Sequence, residues 1–143
     1  IVRLVGSEMC IRDSGWLDPA LGERWAGIRQ VRQVVTTALE AARNDGAIGA
    51  SLQAAPVVHV DAARAELFAG EDAAALFITS DAQITTDAAP ADAFRVEGIE
   101  NAAVAFATAD GGKCARCWKI MPEVTSEDGI CNRCDDVVNA AAG

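Results

Sequence analysis

The sequence predicts an α+β fold: a long amphipathic helix, a small α/β layer of three or four strands, and a C-terminal four-cysteine finger. Three observations carry that expectation. Apolar residues recur at three- and four-residue steps between Leu21 and Ala42. Short β-branched runs separated by turn residues fill the middle of the chain. Two Cys-x-x-Cys pairs, Cys114 with Cys117 and Cys131 with Cys134, stand thirteen residues apart near the end.

The helix is expected to begin at Asp18-Pro19, because Asp is a favoured N-cap and Pro suits the first helical position. Leu21, Trp25, Ile28, Val31 or Val35, Leu39 and Ala42 form its apolar stripe, and Asn44-Asp45-Gly46 stops it just after Arg43. Arg24, Arg29, Arg32 and Arg43 fall largely off that stripe. They present either a solvated face or a contact for RNA.

Ile48-Gly-Ala-Ser-Leu52 then leads into a strand at Pro56-Val-Val-His-Val60. Asp61 caps a short helix from Ala62 to Phe68, closed by Gly70. Leu76-Phe-Ile-Thr79 reads as a second strand, Thr85 to Asp92 as a loop, and Phe94–Glu97 and Ala103–Ala107 as two further strands. His59, the only histidine, lies in a Val-Val-His-Val run and is read as structural. No Ser/His/Asp or Cys/His arrangement and no Gly-rich phosphate loop is recognisable, so no catalytic residue and no nucleotide-cofactor site is expected in this chain.

The cysteines are the most specific signal. Two Cys-x-x-Cys knuckles at this separation bring four thiolates around one tetrahedral Zn²⁺, and the metal supplies folding energy that a short loop-rich segment lacks. Thirteen residues is slightly below the usual 15–20 of a zinc ribbon. A redox Cys-x-x-Cys normally occurs singly, and paired disulfides suit secreted chains, for which no leader is recognisable. Four sulfur ligands leave no open position, so Cys114, Cys117, Cys131 and Cys134 are expected to hold a structural rather than a catalytic zinc.

Composition narrows the function classes. Net charge is −9, against a general nucleic-acid binder. The deficit is local: residues 61–110 carry ten acids against two Arg, whereas 15–60 and 111–143 are near balance. Either end can therefore present a basic face. No apolar run approaches the ~18–20 residues of a membrane span, which points to a cytoplasmic protein with no membrane partner. Residues 1–14 read differently from the rest. Ser7-Glu-Met-Cys-Ile-Arg-Asp-Ser14 resembles the translation of a transposase sequencing adapter, so this segment is expected to be non-native, Cys10 needs no role, and the chain is expected to be a fragment.

Lys113-Cys-Ala-Arg-Cys-Trp-Lys119 with Cys131-Asn-Arg-Cys134 resembles the C-terminal zinc finger of bacterial isoleucyl-tRNA synthetases. A related finger ends the formamidopyrimidine-DNA glycosylases. The upstream text favours the synthetases: Trp25-x-x-Ile-Arg-x-x-Val-x-x-x-Val-x-x-x-Leu-Glu-x-Ala-Arg43 and Ile48-Gly-Ala-Ser-Leu-Gln-Ala54 are similar to that family. The resemblance covers residues 16–138, and the acidic middle is its least family-like part. It implies the end of a helical anticodon-binding region over 15–54, a small α/β module over 55–110 and a zinc finger over 111–143.

The resemblance further implies a tRNA-binding part of a ligase of protein biosynthesis, which charges tRNA with isoleucine. ATP and Mg²⁺ would belong to a catalytic domain whose His-Ile-Gly-His and Lys-Met-Ser-Lys-Ser motifs are absent here. The implied partners are the tRNA anticodon region and the remainder of the synthetase chain, in a monomer. Trp118 is a candidate to stack on an unpaired base, or else to shield the sulfurs. Lys113, Arg116, Lys119 and Arg133 on the finger, with Arg29 and Arg32 on the helix, are candidate phosphate contacts, or on the finger offsets to thiolate charge. The alternatives are a DNA-binding finger of a glycosylase-like protein and a stand-alone protein-interaction zinc module.

Overall fold

In the computed structural model, which describes residues 14–142, Asp18 fixes the start of the principal helix, α1 (Pro19–Asn44). Its carboxylate accepts a hydrogen bond from the Leu21 amide at 3.0 Å, and Pro19 occupies the first turn, where a missing N–H costs nothing. The expectation of non-native sequence over 1–14 lies, but for Ser14, outside the described residues. The buried face of α1 is wider than the predicted stripe. Ile28, Val31, Val34, Val35, Ala38, Leu39 and Ala42 are all buried, so Val31 and Val35 share the face with Val34 and Ala38, while Leu21 remains exposed. The helix ends at Asn44, and Gly46 follows in the left-handed region at φ 76°.

Strand β1 (Val57–Val60) is the centre of a three-stranded sheet ordered β2-β1-β3, in which β2 (Gln83–Thr85) pairs parallel and β3 (Ala102–Ala105) antiparallel to it. Val58 and Val60 are buried in the core cluster that also holds the apolar face of α1. The parallel pairing requires a crossover, which two short helices supply: α2 (Ala62–Leu67), capped by Asp61, and α3 (Ala73–Phe77), capped by Asp72. One continuous cluster runs from Ile28 on α1 through Val58 to Phe77 and Val104. Phe68 and Phe77 meet in it with ring centres 5.7 Å apart.

Three expected elements differ. The strand read at Leu76–Thr79 is the end of helix α3, followed by Ile78 in the left-handed conformation. The apolar run Ala73–Ile78 suits either state, and the Asp72 cap decides it by accepting from the Ala75 amide at 3.1 Å. The second strand instead lies at Gln83–Thr85, so Thr85 ends a strand rather than opening a loop. Phe94–Glu97 is reduced to a single bridge between Phe94 and Val104.

The C-terminal part starts with a hairpin, β4 (Gly112–Lys113) and β5 (Ile120–Met121), and ends in helix α4 (Asn132–Ala142). Its core is small: Cys114, Val124, Cys131 and Cys134, with Cys117, Met121 and Ile130 packed against them. The glycines before the first knuckle are needed sterically. A Cβ on Gly111 would run into the backbone of Met121, and one on Gly112 into the Val124 carbonyl. Among the described residues no helix is long and apolar enough to cross a membrane.

Candidate metal centre

The Cys114–Cys117 knuckle is the turn between β4 and β5. Its backbone is closed by Trp118 N–H to Cys114 O at 3.0 Å and Cys114 N–H to Lys119 O at 2.9 Å. Cys131 precedes α4, and Cys134 lies in its first turn. The four Sγ atoms all lie within 4.8 Å of one another, and Cys117 Sγ is 3.7 Å from Cys131 Sγ. A tetrahedron with metal–sulfur bonds of about 2.3 Å has sulfur–sulfur edges of about 3.8 Å, so the set is sized for one ion. Cys114, Cys131 and Cys134 are buried and Cys117 is half-buried, as in a closed site.

Backbone dipoles favour thiolate at Cys114. Cys114 Sγ accepts the amide N–H groups of Cys117 at 3.5 Å and Cys131 at 3.3 Å. Burial pushes the Cys114 thiol up, but the backbone N–H groups of Cys117, Cys131 and Arg116 outweigh it and bring it down to about 6. At Cys117 and Cys131 burial dominates: it pushes Cys117 up to about 12 and raises Cys131. One sulfur is thus held ionised near neutral pH while two keep their protons. Arg116 Nη1 lies 3.8 Å from Cys134 Sγ, placing a cation beside the cluster.

Trp118 follows directly in the left-handed conformation at φ 67° and is 60% exposed, so its ring projects into solvent rather than covering the sulfurs. Lys113 Nζ stands 4.9 Å from its ring centre. Lys113, Arg116 and Arg133 are exposed and Lys119 is half-buried. The finger therefore carries one aromatic and four cations on or beside its knuckles. A shallow cavity of about 760 Å³ opens beside Trp118, lined by Lys113, Ala115, Thr125 and Ser126.

The helix candidates are placed differently. Arg29 is exposed on α1. Arg32 donates from Nε to Leu76 O at 2.9 Å, holding α3 against α1. Arg24 likewise donates to Leu67 O and Ala69 O and pairs with Glu71 at 3.1 Å. His59 Nδ1 lies 3.1 Å from Asp87 O, a carbonyl that can only accept, so the ring carries its proton there and ties β1 to the loop after β2.

Sequence reasoning missed Ser80. This buried residue joins the finger to the rest of the chain: Ile120 N–H donates to its Oγ at 2.6 Å, and the Oγ donates to Leu52 O at 2.5 Å. A lone serine among turn residues gives no periodic or motif signal.

No protein-family model matches the chain. Curated relatives do. The chain is 49% identical over 125 residues to the isoleucine–tRNA ligase of Ruegeria pomeroyi, covering 85% of this chain and 13% of that protein. It is 43% identical over 131 residues to that of Gluconobacter oxydans, covering 90% of this chain and 13% of the relative. A third, from Agrobacterium fabrum, is 43% identical over 113 residues, or 78% of this chain and 12% of the relative.

The chain is homologous to a segment of the isoleucine–tRNA ligases.

It spans about an eighth of the length of the ligases it matches. The matched 78–90% of the chain is too much for the finger alone, so the similarity extends over the helix and sheet as well. The same matches set the synthetase resemblance above both alternatives, a glycosylase-like DNA finger and a stand-alone protein-interaction zinc module.

Proposed function

We propose that this chain is the C-terminal, tRNA-contacting part of an isoleucine–tRNA ligase, and that Cys114, Cys117, Cys131 and Cys134 hold one structural Zn²⁺. The observation that carries the reading is the juxtaposition of a four-sulfur cluster with an exposed tryptophan at the next position. Four thiolates in a tetrahedral arrangement suit zinc, and with all positions filled the ion has no place for a substrate. When bound, it supplies cross-linking of the finger and no chemistry.

The finger's residues then divide the work of contact. Trp118 offers a π-face to an unpaired base of the anticodon loop, worth roughly 1–3 kcal/mol. Lys113, Arg116, Lys119 and Arg133 meet phosphates, with Arg29 on α1 as a more distant contact. Arg32 has its Nε committed to Leu76 and keeps its outer N–H groups for a phosphate. Residues 15–54, 55–110 and 111–143 act as the helical, α/β and finger parts of this one unit, with the acidic middle turned from the RNA.

The charging reaction, with its ATP and Mg²⁺, belongs to the other seven-eighths of the ligase, in the cytoplasm, with this segment as a non-catalytic part of a monomeric enzyme. The test is Trp118→Ala in the ligase that carries this segment. Affinity for tRNA should fall while isoleucine activation is unchanged. Unaltered tRNA affinity rejects the contact.

A further inference from the structure

We propose that Ser80 is a positioning residue that clamps the finger to the helix–sheet body and so sets where Trp118 is presented. Its hydroxyl is fully used: one proton goes to Leu52 O at 2.5 Å, and a lone pair takes the Ile120 amide at 2.6 Å. Its own amide donates to Ala54 O at 3.2 Å, fixing the residue from the backbone side. The receiving turn is itself held, because Gln53 Oε1 accepts from the Gly49 and Ala50 amides at 2.6 and 3.2 Å.

The geometry explains why a clamp is needed. The finger has its own small core, separate from that of the body. The chain reaches it through a segment tied to the body by Ala55 N–H to Ala107 O and Ala109 N–H to Gln53 O, both at 2.8 Å. Beyond that tether, Ile120 to Ser80 is the one hydrogen bond among the described residues that joins residues 112–142 to residues 14–106. A single tether leaves rotation about its axis. A second point removes it, and this one sits on β5, two residues after Trp118. Leu52 and Ile120 are half-buried, and leaving the Leu52 carbonyl and the Ile120 N–H without Ser80 costs part of a hydrogen bond at each, so the clamp favours one orientation.

The consequence for RNA rests on the tRNA-contact reading; the clamp itself does not. The test compares the zinc-loaded 143-residue chain with Ser80→Ala by residual dipolar couplings. One alignment tensor should fit both α1 and the finger in the unchanged chain, and two should be needed in Ser80→Ala, with zinc still bound one to one. A single tensor for the variant overturns the clamp. If Ser80→Ala does not fold, amide exchange in the unchanged chain decides. Ile120 N–H should exchange about 100-fold or more slowly than an open loop amide, and loop-like exchange overturns the proposal.

For RNA, Ser80→Ala should weaken tRNA binding about tenfold, with Ser80→Thr, which keeps the hydroxyl, recovering part of it. Loss in Trp118→Ala without loss in Ser80→Ala overturns the positioning role. No loss in Trp118→Ala rejects the tRNA reading instead, and the dipolar couplings still judge the clamp.

Discussion

Lys113 Nζ stands 4.9 Å from the centre of the Trp118 ring, so the finger's exposed aromatic and a cation act on the same patch of surface. An exposed pair of this kind is worth about 0.5–1 kcal/mol, enough to bias the ring but not to bury it. The two residues should be separable by salt. Trp118→Ala should lower tRNA affinity by roughly ten- to a hundredfold with little change in salt dependence, because stacking releases no counterions. Lys113→Gln should lower affinity less and reduce the slope of log affinity against log salt by about 0.7 to 1. Filter binding across about 50–300 mM salt, where exposed charges become progressively screened, checks both.

Ile78 is a β-branched residue at φ 58° with over half its surface exposed. The left-handed conformation costs a non-glycine residue about 1–2 kcal/mol, and half-exposed packing does little to offset it. Ile78→Gly is expected to stabilise the chain by roughly 1 kcal/mol in urea denaturation. A destabilised variant would show that the side chain's packing outweighs the strain.

Gly112 faces the Val124 carbonyl so closely that any Cβ forces the hairpin apart. Gly112→Ala should therefore weaken metal loading of the finger, by more than about tenfold, while the helix–sheet core keeps its stability. Competition with a chromophoric chelator measures the first, and far-UV melting the second.

Much of this was legible beforehand. Asp18-Pro19, Asp61 and Asn44-Asp45-Gly46 carry local cap and stop chemistry, which needs no tertiary context. The cysteine spacing likewise fixed which four residues converge. What escaped was set by long-range contacts. Ala73–Ile78 has no period of its own and became a helix through the Asp72 cap and burial of Phe77 against α1. Gln83–Thr85 is a strand only because β1 lies beside it. Arg32 looked free on a helical wheel, yet a carbonyl 44 residues away holds it. Ser80 is the extreme case, a residue whose importance exists only once Leu52 and Ile120 surround it.

Metal loading should be steeply pH-dependent. Cys117 is pushed up to about 12 and Cys131 is raised, so both carry protons at pH 7, whereas Cys114, at about 6, is mostly ionised. Zinc binds thiolates and must displace at least those two protons, so acid favours the metal-free form. Affinity should rise at least about 100-fold per pH unit near pH 7, and more steeply below pH 6 as Cys114 also takes up a proton. Calorimetry in buffers of different ionisation heat counts the protons released. A pH-independent affinity would contradict the assignment.

The most direct measurement is cobalt substitution of the purified chain. Co²⁺ reports its own ligands, because tetrahedral all-sulfur coordination differs sharply from octahedral oxygen coordination in the visible spectrum. One cobalt per chain, with a tetrahedral thiolate spectrum that zinc bleaches and that Cys117→Ala or Cys134→Ala abolishes, is the expected result. A weak octahedral spectrum, or a stoichiometry indifferent to those substitutions, would contradict it.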